Sequence, residues 1–295
     1  MGYVFLVLAL MAGATKGYCG KKTSGFVSGF RDSMLANMIR MLLCIAIGMV
    51  LILAGGHGLM LKPSGKLLLI SALSGVSTTV FVVTWLVSVK KSAYMMLDVF
   101  LMLGVLVPLV FGQLFLNEQV KLTQWLGLGV LLVAAYIMCS YNNSIKEKIT
   151  LSSFLLLMLC GFANGITDFS QKLFVNQMPN VPASVFNFYT YVFSAISLAV
   201  AFFLTKGKEE SKGKSDLKKI VGYILVMAIC LFGNSYFKTL AAERLDSVLL
   251  YPLNQGASLI LSSVMSVVLF REKMTVKGVV GIATAFLGLL IINVL

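Results

Sequence analysis

Apolar residues come in ten blocks of about 20, separated by short polar stretches. The blocks run roughly over 2–20, 33–54, 67–89, 93–116, 122–141, 151–175, 182–205, 217–238, 246–270 and 275–294. A helix rises 1.5 Å per residue, so about 20 apolar residues cross the ~30 Å hydrocarbon layer of a bilayer. The pattern predicts an all-α membrane protein of ten transmembrane helices, each antiparallel to its neighbours in sequence. Two polar stretches stand out. Residues 142–150 separate the first five segments from the last five, and the charged run at 206–216 must lie in water.

The second five segments repeat the first. Leu116-Asn117-Glu118, with Gly127 nine residues beyond the Glu, recurs as Phe270-Arg271-Glu272, with Gly281 nine residues beyond. Lys22, after segment 1, aligns with Lys172 of segment 6. Five spans per copy is an odd number, so the copies point opposite ways across the bilayer. The expected units are 1–145 and 146–295, two inverted five-helix repeats, a design suited to a machine that opens to either side.

Composition agrees with the pattern. Of the 295 residues, 59% are hydrophobic and 12% charged, where a soluble domain carries roughly 25% charged residues. Segment 1 starts without a basic stretch and lacks a convincing cleavage site, so it reads as a span rather than a signal peptide. The net charge of +13 is scattered over connections and makes no stripe, which argues against nucleic acid as a partner. Cys19, Cys44, Cys139, Cys160 and Cys230 lie in apolar helical text without a C-x-x-C pair, and His57 is the one histidine. Neither a metal site, a cofactor nor an enzyme's cluster of acid, base and nucleophile is expected.

Loop charge bears on orientation. Of the 24 Lys and Arg, 16 fall in connections after segments 1, 3, 5, 7 and 9, and five in those after segments 2, 4, 6 and 8. Three (Lys16, Arg40, Lys172) lie inside segments. The positive-inside rule then places both termini outside the cell.

Ionisable groups within spans cost about 2.5–3.5 kcal/mol each at a helix centre, so each needs a reason. Arg40, Lys16 and Lys172 are long enough to snorkel; Asp98 and Asp168 are not. Asn164, Asp168 and Lys172 recur every four residues on one face of segment 6, a spacing that predicts an Asp168–Lys172 ion pair. That face is either a self-neutralised insertion device or the wall of a polar cavity. Segment 9 carries Tyr251, Asn254, Gln255, Ser258, Ser262 and Ser266 along one side, with Pro252 expected to loosen a helical turn. Ser71, Ser74, Gly75 and Thr78 form a small polar face on segment 3, with Trp85 near its end as an interface anchor or a stacking platform. Asn234 and Lys238 are four apart in segment 8. Glu118 and Glu272 are expected to cap helix starts. Gly127 with Gly281, and Ala134 with Gly288, suit segments 5 and 10 to scaffold or subunit packing, as in a homodimer.

The paired ends Leu114-Phe115 to Gly127 and Leu269-Phe270 to Gly281, and the Lys-bearing ends Gly20-Lys21-Lys22 and Ser170-Gln171-Lys172, resemble the drug/metabolite transporter superfamily, in its ten-span EamA-type group. The resemblance spans essentially the whole chain. It implies alternating-access movement of small solutes such as amino acids, sugars, nucleotide derivatives or drugs, in the plasma membrane of a prokaryote, with both termini cytoplasmic. That last implication opposes the loop charge. The related four-span small multidrug resistance proteins use a Glu in their first helix, whereas segment 1 here has no carboxylate.

The leading expectation is a secondary transporter with a lipid-embedded cavity for a small polar or amphipathic metabolite. Asn164, Asp168, Asn234, Tyr251, Asn254, Gln255, Ser74, Thr78 and Trp85 are its candidate substrate-binding residues, and Asp98, Asp168 and Lys172 its candidate coupling groups. The alternative is a channel or carrier for an ion such as magnesium, which would need rings of carboxylates or carbonyls.

Overall fold

A computed structural model of the protein describes residues 1–26, 30–91, 94–141, 151–205, 217–269 and 276–294. Every regular element among them is helical: α1 (Gly2–Ser24), α2 (Phe30–Ala54), α3 (Gly65–Lys91), α4 (Tyr94–Gly104), α5 (Leu106–Leu116), α6 (Leu122–Tyr141), α7 (Leu151–Gln177), α8 (Ala183–Leu204), α9 (Leu217–Ala242), α10 (Ser247–Val268) and α11 (Val276–Val294), with a short 3-10 turn at Gly58–Leu61. Seven of these helices are long and apolar enough to cross a membrane; Phe100–Leu116, Leu122–Ala134 and Val279–Ile292 are shorter apolar stretches. Large apolar side chains such as Leu69, Leu114, Phe203, Leu204 and Val276 point outward, as a bilayer solvent requires.

The expected fourth segment is two helices, α4 and α5, meeting at Val105. Pro108 explains the break. It has no N–H to donate to the Gly104 carbonyl, and its ring crowds that carbonyl; the Val105 amide bonds the Met102 carbonyl in a tight turn instead (3.1 Å). α10 runs through Pro252 without interruption, although a proline has no N–H to offer the Val248 carbonyl; the helix is held one turn earlier. The Asp246 carbonyl there accepts from the amides of Leu249 (3.0 Å) and Leu250 (2.9 Å).

Contacts order the helices. Gly2 at the start of α1 lies against Arg244 and Leu245 beyond the end of α9, while Gly20 near the end of α1 lies under the Trp85 ring near the end of α3. Both chain ends therefore lie on one side of the bundle (the terminal side), along with the α5–α6 and α9–α10 connections. The last turns of α1, α3, α6, α8 and α10 lie on the other (the distal side).

Packing partners exchange when the halves are swapped. α1 packs on α9 as α7 packs on α3; α2 packs on α9 as α8 packs on α3; α2 packs on α8, and α6 on α11. The last pair uses the glycines noted in the sequence. A Cβ on Gly127 would lie 3.0 Å from the Gly288 carbonyl, and one on Gly288 would lie 3.0 Å from the Gly127 carbonyl. These small faces are spent inside one chain.

Arg40 does not snorkel. It is one of the largest fully buried side chains, 2% exposed, and its guanidinium donates to the Asn37 side-chain oxygen (2.5 Å). Asn37 in turn donates to the Val82 carbonyl of α3 (3.2 Å). The buried charge thus anchors α2 through an amide relay.

Candidate functional site

A cavity of about 60 Å³ lies at the centre of the bundle between α1, α3, α4, α7, α9 and α10. At roughly 10–15 Å³ per water on this scale, it has room for a few waters or a small ligand group. Its polar lining is Lys16, Asn164, Asn234, Lys238, Asn254, Gln255, Ser258 and Ser262, and its aromatic lining is Phe81 and Trp85. Five of the residues singled out from the sequence as substrate-binding candidates therefore meet here: Asn164, Asn234, Asn254, Gln255 and Trp85.

Asp168 stands behind this wall with no exposure. Its carboxylate is ion-paired with Lys238 of α9, accepts from the Asn164 amide (3.3 Å) and is reached by the Gln255 amide. Its backbone carbonyl accepts from the Tyr251 hydroxyl (2.6 Å). Three helices, α7, α9 and α10, are tied at one residue. Burying a carboxylate and an ammonium is costly unless each is paired and hydrogen-bonded, and here each is.

The partner differs from the one the spacing predicted. Asp168 and Lys172 share a face of α7, but Lys172 points to the terminal side. There it pairs with Glu118 (3.2 Å) and donates to the carbonyls of Leu245 (2.7 Å) and Ala242 (3.1 Å). Those carbonyls end α9 and begin the following turn, where a cation complements a helix C-terminus. Lys238 lies inside α9, which continues four residues past the expected end of segment 8.

Glu118 also departs from expectation. α6 begins only at Leu122, and Glu118 caps α10: its carboxylate accepts from the Ser247 amide (3.2 and 3.4 Å). Asn117 makes this feasible by ending α5 at φ 54°, a left-handed turn that asparagine tolerates. The turn throws Glu118 back over Gly112, where a Cβ would lie only 2.8 Å from the carboxylate. A clasp of Glu118, Lys172 and the α10 start thus joins the two halves on the terminal side. Inward of it, Leu6, Val105, Leu109, Leu128, Leu250 and Tyr251 pack into one apolar cluster.

Other expected site residues lie elsewhere. Tyr251 is fully buried, with its hydroxyl committed to Asp168, so it braces α10 rather than offering a stacking face. Ser74 and Thr78 are buried in α3 and do not line the cavity. Trp85 is buried against α1, not placed as an interface anchor. Asp98 lies in α4 and its side chain falls outside the described residues, as do Glu272 and the 206–216 run. Among the described residues, no three potential metal ligands cluster.

Lys16 is the residue sequence reasoning undervalued. Its ammonium lies 5.5 Å from the Phe81 ring centre and 5.9 Å from that of Trp85. The signal was present: Gly13, Lys16, Gly17 and Gly20 share one face of α1, a small-residue face that lets α3 and α9 approach and aims the lysine inward.

The chain shares sequence or fold with known proteins. Residues 151–294 match the EamA-like transporter family. The quaternary ammonium compound-resistance protein QacG of Staphylococcus sp. (strain ST94) is 28% identical over 104 residues, which are 35% of this chain and 94% of that protein. A solved crystal structure at 15% identity superposes on 99% of this chain and 96% of its own, with a TM-score of 0.74. That likeness shows a shared fold.

Proposed function

With an EamA-like transporter domain over residues 151–294 in an integral membrane protein, consistent with the drug/metabolite transporter superfamily, we propose that the chain is a secondary active transporter working by alternating access. Its units are 1–145 and 146–295, acting as inverted repeats. A small polar or amphipathic solute occupies the central cavity, and rocking of the halves exposes it to each side in turn. The observation that carries this reading is a polar cavity at mid-depth sealed toward one side. There the Glu118–Lys172 clasp and the Tyr251 cluster close the terminal side, while the lining along α3 and α10 extends distally to Trp85 and Met265.

Asn164, Asn234, Asn254, Gln255 and Trp85 are assigned to solute contact, and Asp168 to coupling through its pair with Lys238. Lys172 belongs to the clasp, whose charge pair must open for release on the terminal side. A divalent-cation route is disfavoured, because the charged side chains lining the cavity among the described residues are ammonium groups.

A reversible lock tests the cycle. A Cβ on Gly112 would stand 3.5 Å from the Ser247 hydroxyl, within disulfide reach, with the flexible Glu118 carboxylate, 2.8 Å away, swung aside. In proteoliposomes, oxidised Gly112→Cys/Ser247→Cys protein is expected to lose solute counterflow and regain it on reduction. Undiminished flux in fully crosslinked protein would exclude alternation at this face.

The connections after segments 1, 3, 5, 7 and 9 carry most of the basic residues, so the proposed orientation puts them in the cytoplasm and both termini outside, in a prokaryotic plasma membrane. Reporter fusions at the C-terminus read this directly. Alkaline phosphatase is expected to be active there and green fluorescent protein dark; the reverse pattern would overturn the assignment.

A further inference from the structure

Resting on the transporter reading above, we infer that the solute is a small organic anion, a carboxylate or phosphate with a hydroxyl or amine donor beside it, and not a quaternary ammonium compound.

Three observations carry this. First, the charged residues among those lining the cavity are Lys16 and Lys238. The nearest described carboxylate, Asp168, has no exposed surface and is ion-paired with Lys238, with Asn164 and Gln255 at its oxygens and the Lys16 charge also acting on it. With the Asp168 charge balanced by Lys238, Lys16 leaves the described site with a net positive charge. An ammonium presented to such a wall faces like charge in a low-dielectric setting, whereas a carboxylate or phosphate gains charge-assisted hydrogen bonds.

Second, the aromatic rings that could hold a drug cation already face a cation. Quaternary ammonium ligands are recognised by stacking their charge over Trp, Tyr or Phe faces. In this cavity the Lys16 ammonium lies within 6 Å of both the Phe81 and Trp85 ring centres. A drug cation would have to displace a covalently tethered competitor. The aromatic pair thereby positions Lys16 toward the cavity.

Third, the amide oxygen of Asn254 is buried without a hydrogen-bond partner in the cavity wall. An orphaned acceptor at a binding site calls for a donor from the ligand or a bound water. Asn234 has already committed its amide N–H to the Ala9 carbonyl (2.7 Å), which fixes its orientation. The wall thus combines cations for an anionic group with an acceptor for a neighbouring O–H or N–H, and the cavity volume suits a small head group.

The test uses purified full-length protein in proteoliposomes and a panel of lactate, malate, glucose 6-phosphate, glucose, tetraphenylphosphonium and benzalkonium. Uptake, counterflow and thermal shift are measured for each. At least one anion is expected to raise the melting temperature and to be transported, and the two cations are expected to do neither. Lys16→Gln should raise KM for that anion by about tenfold or more, the loss of one charge-assisted contact, while Lys16→Arg preserves the preference for anions over cations. Transport of a cation in preference to every anion overturns the inference and leaves the transporter reading standing. Transport of glucose alone does the same. An anion whose KM is insensitive to Lys16→Gln in folded protein also overturns it. If no compound is moved although the oxidised Gly112→Cys/Ser247→Cys lock forms, the transporter reading falls and takes this inference with it.

Discussion

Gly161→Leu is expected to abolish folded protein. Gly161 and Gly165 of α7 face Gly104 of α4 at backbone contact. A Cβ on Gly161 would enter the Phe100 carbonyl, one on Gly104 would enter the Gly161 carbonyl, and one on Gly165 would enter the Gly104 carbonyl and crowd Val107 (2.8 Å). The obstacles are main-chain atoms, which cannot rotate away as a side chain does. α7 would have to back off, carrying Asn164 and Asp168 out of register with Lys238 and Gln255. Overpacking typically costs 1–3 kcal/mol; with backbone on backbone the upper end, about 3 kcal/mol or more, is expected. Fluorescence-detected size-exclusion chromatography in mild detergent should show the monodisperse peak lost. Gly129→Leu is the matched control, since no atom lies within 4 Å of its Cβ position. Indistinguishable profiles for the two variants would show that the α4–α7 contact is not needed.

Asp168→Asn should cost stability and transport together, and the two losses should separate in a double variant. Lys238 is only 5% exposed, and its partner is Asp168. Removing one member of a buried pair leaves an uncompensated charge, at about 3–5 kcal/mol. At roughly 2–4 °C per kcal/mol for a chain of this size, the melting temperature should drop by about 10 °C. Asp168→Asn/Lys238→Met removes both charges and should recover most of that loss, because the coupling between neighbours is non-additive. Transport should not return with it if the carboxylate couples solute movement to a driving ion. Wild-type flux in the stable double variant would reduce the pair to a structural device.

Both experiments turn on partners that the sequence pointed toward without naming. The helical repeat put Asn164, Asp168 and Lys172 on one face, and that face is real. The i,i+4 rule then offered Asp168 the nearest cation on its own helix. In the fold, Lys238 of α9 and Glu118 of the α5–α6 connection compete for the same two groups and win. They arrive with additional hydrogen-bond partners that a helix surface alone cannot supply. The Gly161-x-x-x-Gly165 pair was legible as a close-packing signal and went unread, whereas its backbone partner Gly104 was not identifiable from spacing. Glu118 illustrates a different limit. Its place after a helix end was plain, but which helix start it would cap depended on the left-handed turn at Asn117 and the space above Gly112.

The chain by itself determined the solvent and the order of the apolar helices, because hydrocarbon thickness and the 1.5 Å rise leave little freedom in how 59% apolar text can be laid down. It also determined which polar residues had to seek one another, since none can be left bare in lipid. Tertiary structure alone decided the matches: Asp168 with Lys238, Lys172 with Glu118, Lys16 with the Phe81 and Trp85 rings, and Pro108 rather than Pro252 as the point of fracture. Each of the three pairings depends on residues separated by tens of positions meeting at a distance of a few ångströms, and a one-dimensional period carries no information about that meeting.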